Sequence, residues 1–125
     1  MGTYTVDILT DIIKKLSDDI VGVEAVVLET YEGLVLASTL PTNKKEEIIA
    51  AISSVAQSVT NRAVKELDHG VNQNTFLINE RGQVILTNID GKALLTVIAE
   101  RGANTGLISI MSRRIAQDIR QYLPF

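Results

Sequence analysis

The chain has no cysteine, one histidine and few aromatic residues, only 4% of its 125. Without cysteine there is no disulfide scaffold, no iron–sulfur cluster and no thiol nucleophile. The same absence suits a reducing compartment, so the cytoplasm is the expected location. His69 stands alone, so a zinc site would rest on carboxylates, and no HxxxH pair is present. Its place past a helical run fits a polar residue favouring the helix dipole. No GxSxG occurs, and a serine triad would leave one histidine to serve every role. The acidic pairs Asp18-Asp19 and Glu46-Glu47 are neighbours on helical runs, so their side chains diverge rather than converge on a substrate. No catalytic constellation emerges, and no cofactor or metal is expected.

Charge and hydropathy exclude two further classes. The net charge is −3 and the basic residues cluster only as pairs, Lys14-Lys15, Lys44-Lys45 and Arg113-Arg114. That balance offers no electrostatic footprint for nucleic acid. No segment approaches the roughly 20 apolar residues of a membrane span, and the start "MGTYTVDILTDIIKK" lacks the pattern of a signal peptide.

What is present is patterned apolar sequence, 46% of the chain, in a length that suits one domain over 1–125. Residues 7–20 carry Ile8, Ile12, Leu16 and Ile20 at four-residue intervals, widened by Leu9 and Ile13. This is an amphipathic helix with Thr5 or Asp7 as its cap. Val23–Leu28 and Leu34–Ala37 are β-type runs around Glu32-Gly33, ended by Pro41. "TNKKEEIIAAISSVAQSVTNRAVKEL" reads as a long helix with Asn43 and Glu46 approximating a capping box, and Gly70 closing it. Three β-type runs follow, broken at Arg81-Gly82 and Asp90-Gly91. Leu107–Leu123 is a last amphipathic helix, with Ile108, Met111, Ile115 and Ile119 on one face and Pro124 as its stop. The order α-β-β-α-β-β-β-α with short turns predicts an α/β (α+β) fold, a five-stranded antiparallel sheet flanked by helices.

Two stretches invite a functional reading. "AERGANTGLISIM" places Gly102 and Gly106 between a strand and a helix, where phosphate loops occur. It fails as GxxxxGK[ST] and as GxGxxG, and no lysine follows. A corner explains it: Gly102 lets the chain leave the strand, Asn104 or Thr105 caps the helix, and Gly106 permits close packing. The middle helix is the second stretch. From Ile48 to Asn61 it has no charged residue. Ile48, Ile52, Val55 and Val59 form one stripe, and Ile49, Ala56, Ala63 and Leu67 another, with Ala50, Ala51, Ser53, Ser54 and Ser58 between them. One sheet face needs only one stripe, so a second surface is expected to cover the helix, the same helix of another copy being the natural candidate. Ala51, Ser54, Val55, Ser58, Val59 and Arg62 are the expected dimer residues.

These features together resemble the roadblock-type domain, the family of roadblock dynein light chains and prokaryotic regulators of Ras-like GTPases. The likeness is carried by "VEAVVLETYEGLVLAS", "EIIAAISSVAQSVTNRAVKEL", "FLINERGQVILTNI" and "LLTVIAERGANTGLISIMSRRIAQDI", and spans about Ile8 to Leu123. The resemblance implies a homodimer, or a heterodimer with a related chain, built by pairing middle helices and third strands. It implies a non-enzymatic scaffold that docks a Ras-like small GTPase and modulates its hydrolysis of GTP. Arg62, Lys65, Arg81 and Arg101 are the residues available to meet an acidic partner. Two other readings share the fold: a small-molecule sensor module and a cytoskeletal-motor light-chain adaptor. The scarcity of aromatic residues weighs against a ligand pocket.

Overall fold

A computed structural model of the chain describes residues 3–41 and 44–125. It contains α1 (Thr3–Asp19), β1 (Val23–Thr30), β2 (Val35–Ser38), α2 (Lys44–Glu66), β3 (Asn74–Ile78), β4 (Gly82–Ile89), β5 (Ala93–Glu100) and α3 (Thr105–Arg120). This is the expected order. The strands form one sheet in the order β2-β1-β5-β4-β3, with every neighbouring pair antiparallel. β1 and β5, distant in sequence, lie side by side at the centre, and β2 and β3 are the two edges.

Period-two alternation divides the sheet between its two faces. Val26 and Leu28 of β1, Ile85 and Ile89 of β4 and Leu95 and Val97 of β5 join Leu9, Ile13 and Leu16 of α1 and Ile108, Ile115 and Ile119 of α3 in one apolar core. α2 lies on the opposite face, over β1, β2 and β5. The buried face of α1 is centred on Leu9, Ile13 and Leu16, with Ile8 and Ile12 only half-buried at its margin. The helix begins at Thr3, so Thr5 and Asp7 lie inside it and neither is its cap. Nothing between Thr3 and Asp7 breaks a helix, and a cap must sit where the backbone is not yet helical.

Turn chemistry accounts for the other boundaries. Asp90 and Gly91 both have positive φ, 55° and 69°, the signature of the two-residue turn that suits a twisted hairpin. α2 ends on Asp68 in the left-handed conformation, with His69 N–H donating to the Val64 carbonyl and Asp68 N–H to that of Lys65. Asp68, not Gly70, therefore closes the helix; an aspartate tolerates that conformation because its short side chain is polar. The expected Asn43–Glu46 cap lies outside the described residues. α3 stops at Arg120, before Pro124, where Tyr122 N–H turns back to the Ile119 carbonyl.

Candidate functional site

α2 sits on the sheet with its aliphatic side outward. Ala50, Ser53 and Gln57 are its buried residues. Ile48, Ile52, Val55 and Val59 are 57%, 62%, 66% and 67% exposed, so the richest apolar stripe of the helix faces away from the protein's own core. A single exposed valine needs no explanation, but a continuous row does. The row does not end with the helix. Ile49, Ile52 and Ala56 share a cleft of about 190 Å³ with Leu77 of β3, Val84 and Leu86 of β4 and Ile98 of β5. Beside it β3 is an edge strand whose Phe76, Leu77 and Ile78 are all exposed. Phe76 and Ile78 lie on the α3 side with Ile110, and Leu77 on the α2 side. An unpaired strand edge flanked by apolar side chains on both faces is a ready template for pairing.

The layer beneath α2 mixes apolar residues, Val27, Leu86 and Leu94, with a few buried polar ones. Glu29 is fully buried there, and Thr96 Oγ1 donates to its Oε1 at 2.5 Å. Burial pushes the Glu29 carboxyl from 4.5 up to about 8, the Thr96 bond opposing the rise. Gln57 Nε2 donates to Asn61 Oδ1 at 2.8 Å and to Asn72 Oδ1 at 3.1 Å, tying α2 to the loop before β3. Ser54 Oγ donates to the Tyr31 carbonyl. At the same contact Gly33 holds a φ of +95°, and a Cβ there would stand 3.4 Å from that of Ser54. The positive φ therefore favours glycine at this turn, and α2 packs against it at van der Waals distance.

This arrangement sorts the expected dimer residues. Ala51, Val55, Val59 and Arg62 are exposed on the outer side of α2. Ser58 is exposed but lines a polar hollow with Tyr31, Gln57 and Asn61. Ser54 is half-buried and spends its hydroxyl inside the chain. Of the cationic candidates, Arg62 and Lys65 follow Gln57 along α2, at the end of the sheet where Asn72 meets Asn88. Arg81 and Arg101 flank the paired Gly82 and Glu100 at the other end. The four do not form one patch in a single chain.

The stretch around Gly102 is a corner with its own fastening. Asn104 caps α3, its side chain accepting from Leu107 N–H at 3.0 Å. Buried Gln83 closes the loop from below: its Nε2 donates to the carbonyls of Glu100 at 3.1 Å and Ala103 at 3.0 Å, while Thr105 Oγ1 donates to its Oε1. Glycine is not demanded at either place. Gly102 has open space around it, Gly106 only an ordinary contact with Asn104, and neither has a positive φ. The sequence reading missed Gln83, because a lone glutamine in an alternating strand carries no signal of what it reaches. Calorimetry with GTP, GDP and ATP should accordingly show no saturable heat up to about millimolar ligand, a ceiling near 4 kcal/mol of binding energy. Micromolar affinity for any of them would overturn the corner reading.

Other hollows are open. A trough of about 740 Å³ runs along the outer edge of β2 between Val6 and Thr10 of α1 and Glu46 and Glu47 of α2. Among the described residues no aromatic side chain lines it. Among the described residues there is no cluster of His, Cys, Asp and Glu suited to a metal, and no helix long and apolar enough to cross a membrane.

One helix over a five-stranded antiparallel sheet, with two helices beneath, defines a protein of the roadblock fold. The chain belongs to the Roadblock/LC7 domain family, whose model matches residues 9–99. Uncharacterized protein MJ0714 of Methanocaldococcus jannaschii is 30% identical over 99 residues, covering 79% of this chain and 83% of its own. Protein MJ1340 of the same organism is 29% identical over 99 residues, covering 79% and 86%. Among solved structures, a Roadblock/LC7 domain from Streptomyces avermitilis superposes with a TM-score of 0.87 at 18% identity, over 93% of this chain and 98% of that one. The gliding protein MglB from Thermus thermophilus gives 0.84 at 16% identity, over 98% and 92%. An MglB described in a tetrameric arrangement gives 0.86 at 17% identity, over 98% and 91%.

Proposed function

We propose that the chain forms a dimer through the outer side of α2 and the free edge of β3, and that the dimer is a non-enzymatic scaffold in the cytoplasm for a Ras-like small GTPase. The observation that carries this reading is the outward aliphatic stripe of α2. Ile48, Ile52, Val55 and Val59 would be withdrawn from water by a second copy, and a two-fold axis would let each stripe cover the other. The β3 edges would pair in the same act, satisfying their open backbone groups. A heterodimer with a related roadblock-type chain would use the same surface.

The GTPase partner follows from membership of the family and from the resemblance to regulators of Ras-like GTPases. A scaffold discriminates nucleotide states by fitting one arrangement of the switch loops, which the γ-phosphate and its magnesium hold. The arginines support positioning of the GTPase's own residues rather than an arginine finger. Arg62 is fixed in a helix, Arg81 sits in a turn held by Asn79 N–H on the Gly82 carbonyl, and the Arg101 carbonyl accepts from Gln83. None is on a long loop able to reach into another active site.

The test uses Ras-like GTPases from the same source, loaded with GDP or a non-hydrolysable GTP analogue. Tighter binding to the GTP form is expected. In single-turnover hydrolysis, Arg62→Ala, Arg81→Ala and Arg101→Ala should each leave most of any acceleration in place. Loss of a large acceleration in one of them would establish an arginine finger instead. Equal affinity for both nucleotide states across the panel would count against the regulator reading.

A further inference from the structure

Among the described residues, Glu29 is the one ionisable side chain buried inside the layer between α2 and the sheet. Val26 and Leu28 point into the core on the α1 and α3 side, so alternation turns Glu29 to the other face, where α2 packs on β1. Its carboxyl is fully enclosed. Thr96 supplies a single hydrogen bond to Oε1, and Oε2 is buried with no partner among the described residues.

The stretches that face this carboxyl hold no ionisable residue, and the described cations of α2, Lys45, Arg62 and Lys65, are exposed and lie outside its uncharged run. α2 has no ionisable residue from Ile48 to Asn61, β2 none from Val35 to Ser38, β4 none from Gly82 to Ile89, and β5 none from Ala93 to Ala99. At the margins, Glu46 of α2 lies half-buried over Leu36 and Ser38 and would repel a carboxylate. Tyr31, on the same strand face, is engaged with Asn61, and Lys92 is exposed beyond the end of β5. An ionised group in such a place loses its hydration and gains one hydrogen bond in return.

We infer that Glu29 is a proton-controlled latch: as the neutral acid it lets α2 lie closed on the sheet, and loss of its proton loosens α2 and with it the surface on which two copies pair. The second half of this statement rests on the dimer proposed above; the first half does not.

The sign follows from burial. The enclosed carboxyl is held up to about 8, against the ordinary value of 4.5 toward which access to water would return it. Its contribution to closure is whole below the lower value, where both states are protonated. It declines as pH rises between the two and is lost once pH passes the upper one. The closed-to-open ratio should fall by up to about tenfold per pH unit within that window.

The experiment compares the wild type with Glu29→Gln, a neutral near-isostere, from about pH 6 to about pH 9.5. Amide-exchange protection of residues 48–61, corrected for intrinsic exchange, reads closure. Sedimentation reads the dimer. Carbon-13 NMR of the wild-type glutamate carboxyls reads Glu29 itself, and needs no variant to fold. The expected results are a Glu29 titration well above the ordinary carboxylate range, protection in α2 that weakens with pH in the wild type, and little such change in Glu29→Gln. A carboxyl titrating near its ordinary value, or protection equally pH-dependent in both proteins, would overturn the latch. Monomer mass at every pH in both proteins would instead overturn the dimer, leaving the α2 protection data to decide the latch alone.

Discussion

Val55→Asp is expected to convert the proposed dimer to a monomer and to leave the fold of that monomer intact. The expectation follows from where the side chain stands. At 66% exposure in the single chain, an aspartate at position 55 meets water and disturbs nothing beneath the helix. Across a two-fold interface it would be enclosed without a cation, and the symmetry would place it there twice. An unpaired charge buried in an interface costs roughly 3 kcal/mol or more, which weakens association by at least about a hundredfold. Sedimentation at micromolar concentration should show twice the chain mass for the wild type and single mass for the variant, with unchanged far-ultraviolet circular dichroism. Wild-type association in Val55→Asp would show that α2 is not the seam. Ser54→Arg, attractive on sequence alone, is a poorer probe. Ser54 bonds the Tyr31 carbonyl and crowds Gly33, so its replacement disturbs the seat of α2 as well as any interface.

Leu95→Ala produces the opposite pattern. Leu95 is fully buried on central β5, opposite Leu28 of β1 and Thr87 of β4, on the face that packs against α1 and α3. Truncation removes one methine and two methyl carbons from a close-packed site with strands on both sides. The cost should be about 3 kcal/mol, lowering the melting temperature by roughly 10 °C for a chain of this size. Because the side chain faces away from α2, association of the folded protein in the absence of denaturant should be unaffected. A loss below about 1 kcal/mol in denaturant titration, with the slope unchanged, would mean that the site relaxes to fill the gap. The two variants thus separate the surface proposed to pair from the core that folds.

Local patterns in the sequence determined most of the elements, because each depends on a few neighbouring residues. Four-residue spacing marked α1 and α3, Asp90-Gly91 specified its turn through the φ values its two residues tolerate, and Asn104 capped the corner as its residue type allows. The failure of the Gly102–Gly106 stretch as a phosphate loop was also legible, since that motif is an arrangement of fixed residues. The uncharged run from Ile48 to Asn61 raised the expectation of a second cover over α2, and the structure leaves its outer stripe exposed in the single chain. Which side met the sheet was decided only by tertiary structure. Periodicity shows that a stripe exists, but not whether its counterpart is in the same chain. Here the helix turns Ala50, Ser53 and Gln57 toward a strand face where Glu29 and Thr96 lie among Val27, Leu86 and Leu94, and it leaves Ile48, Ile52, Val55 and Val59 outward. The role of Gln83 was hidden for the same reason, since its carbonyl partners lie across the β4–β5 ladder rather than nearby in the chain. So was the strand order: β1 meets β5 across most of the chain, and a pairing between distant segments leaves no mark in the local alternation of either strand.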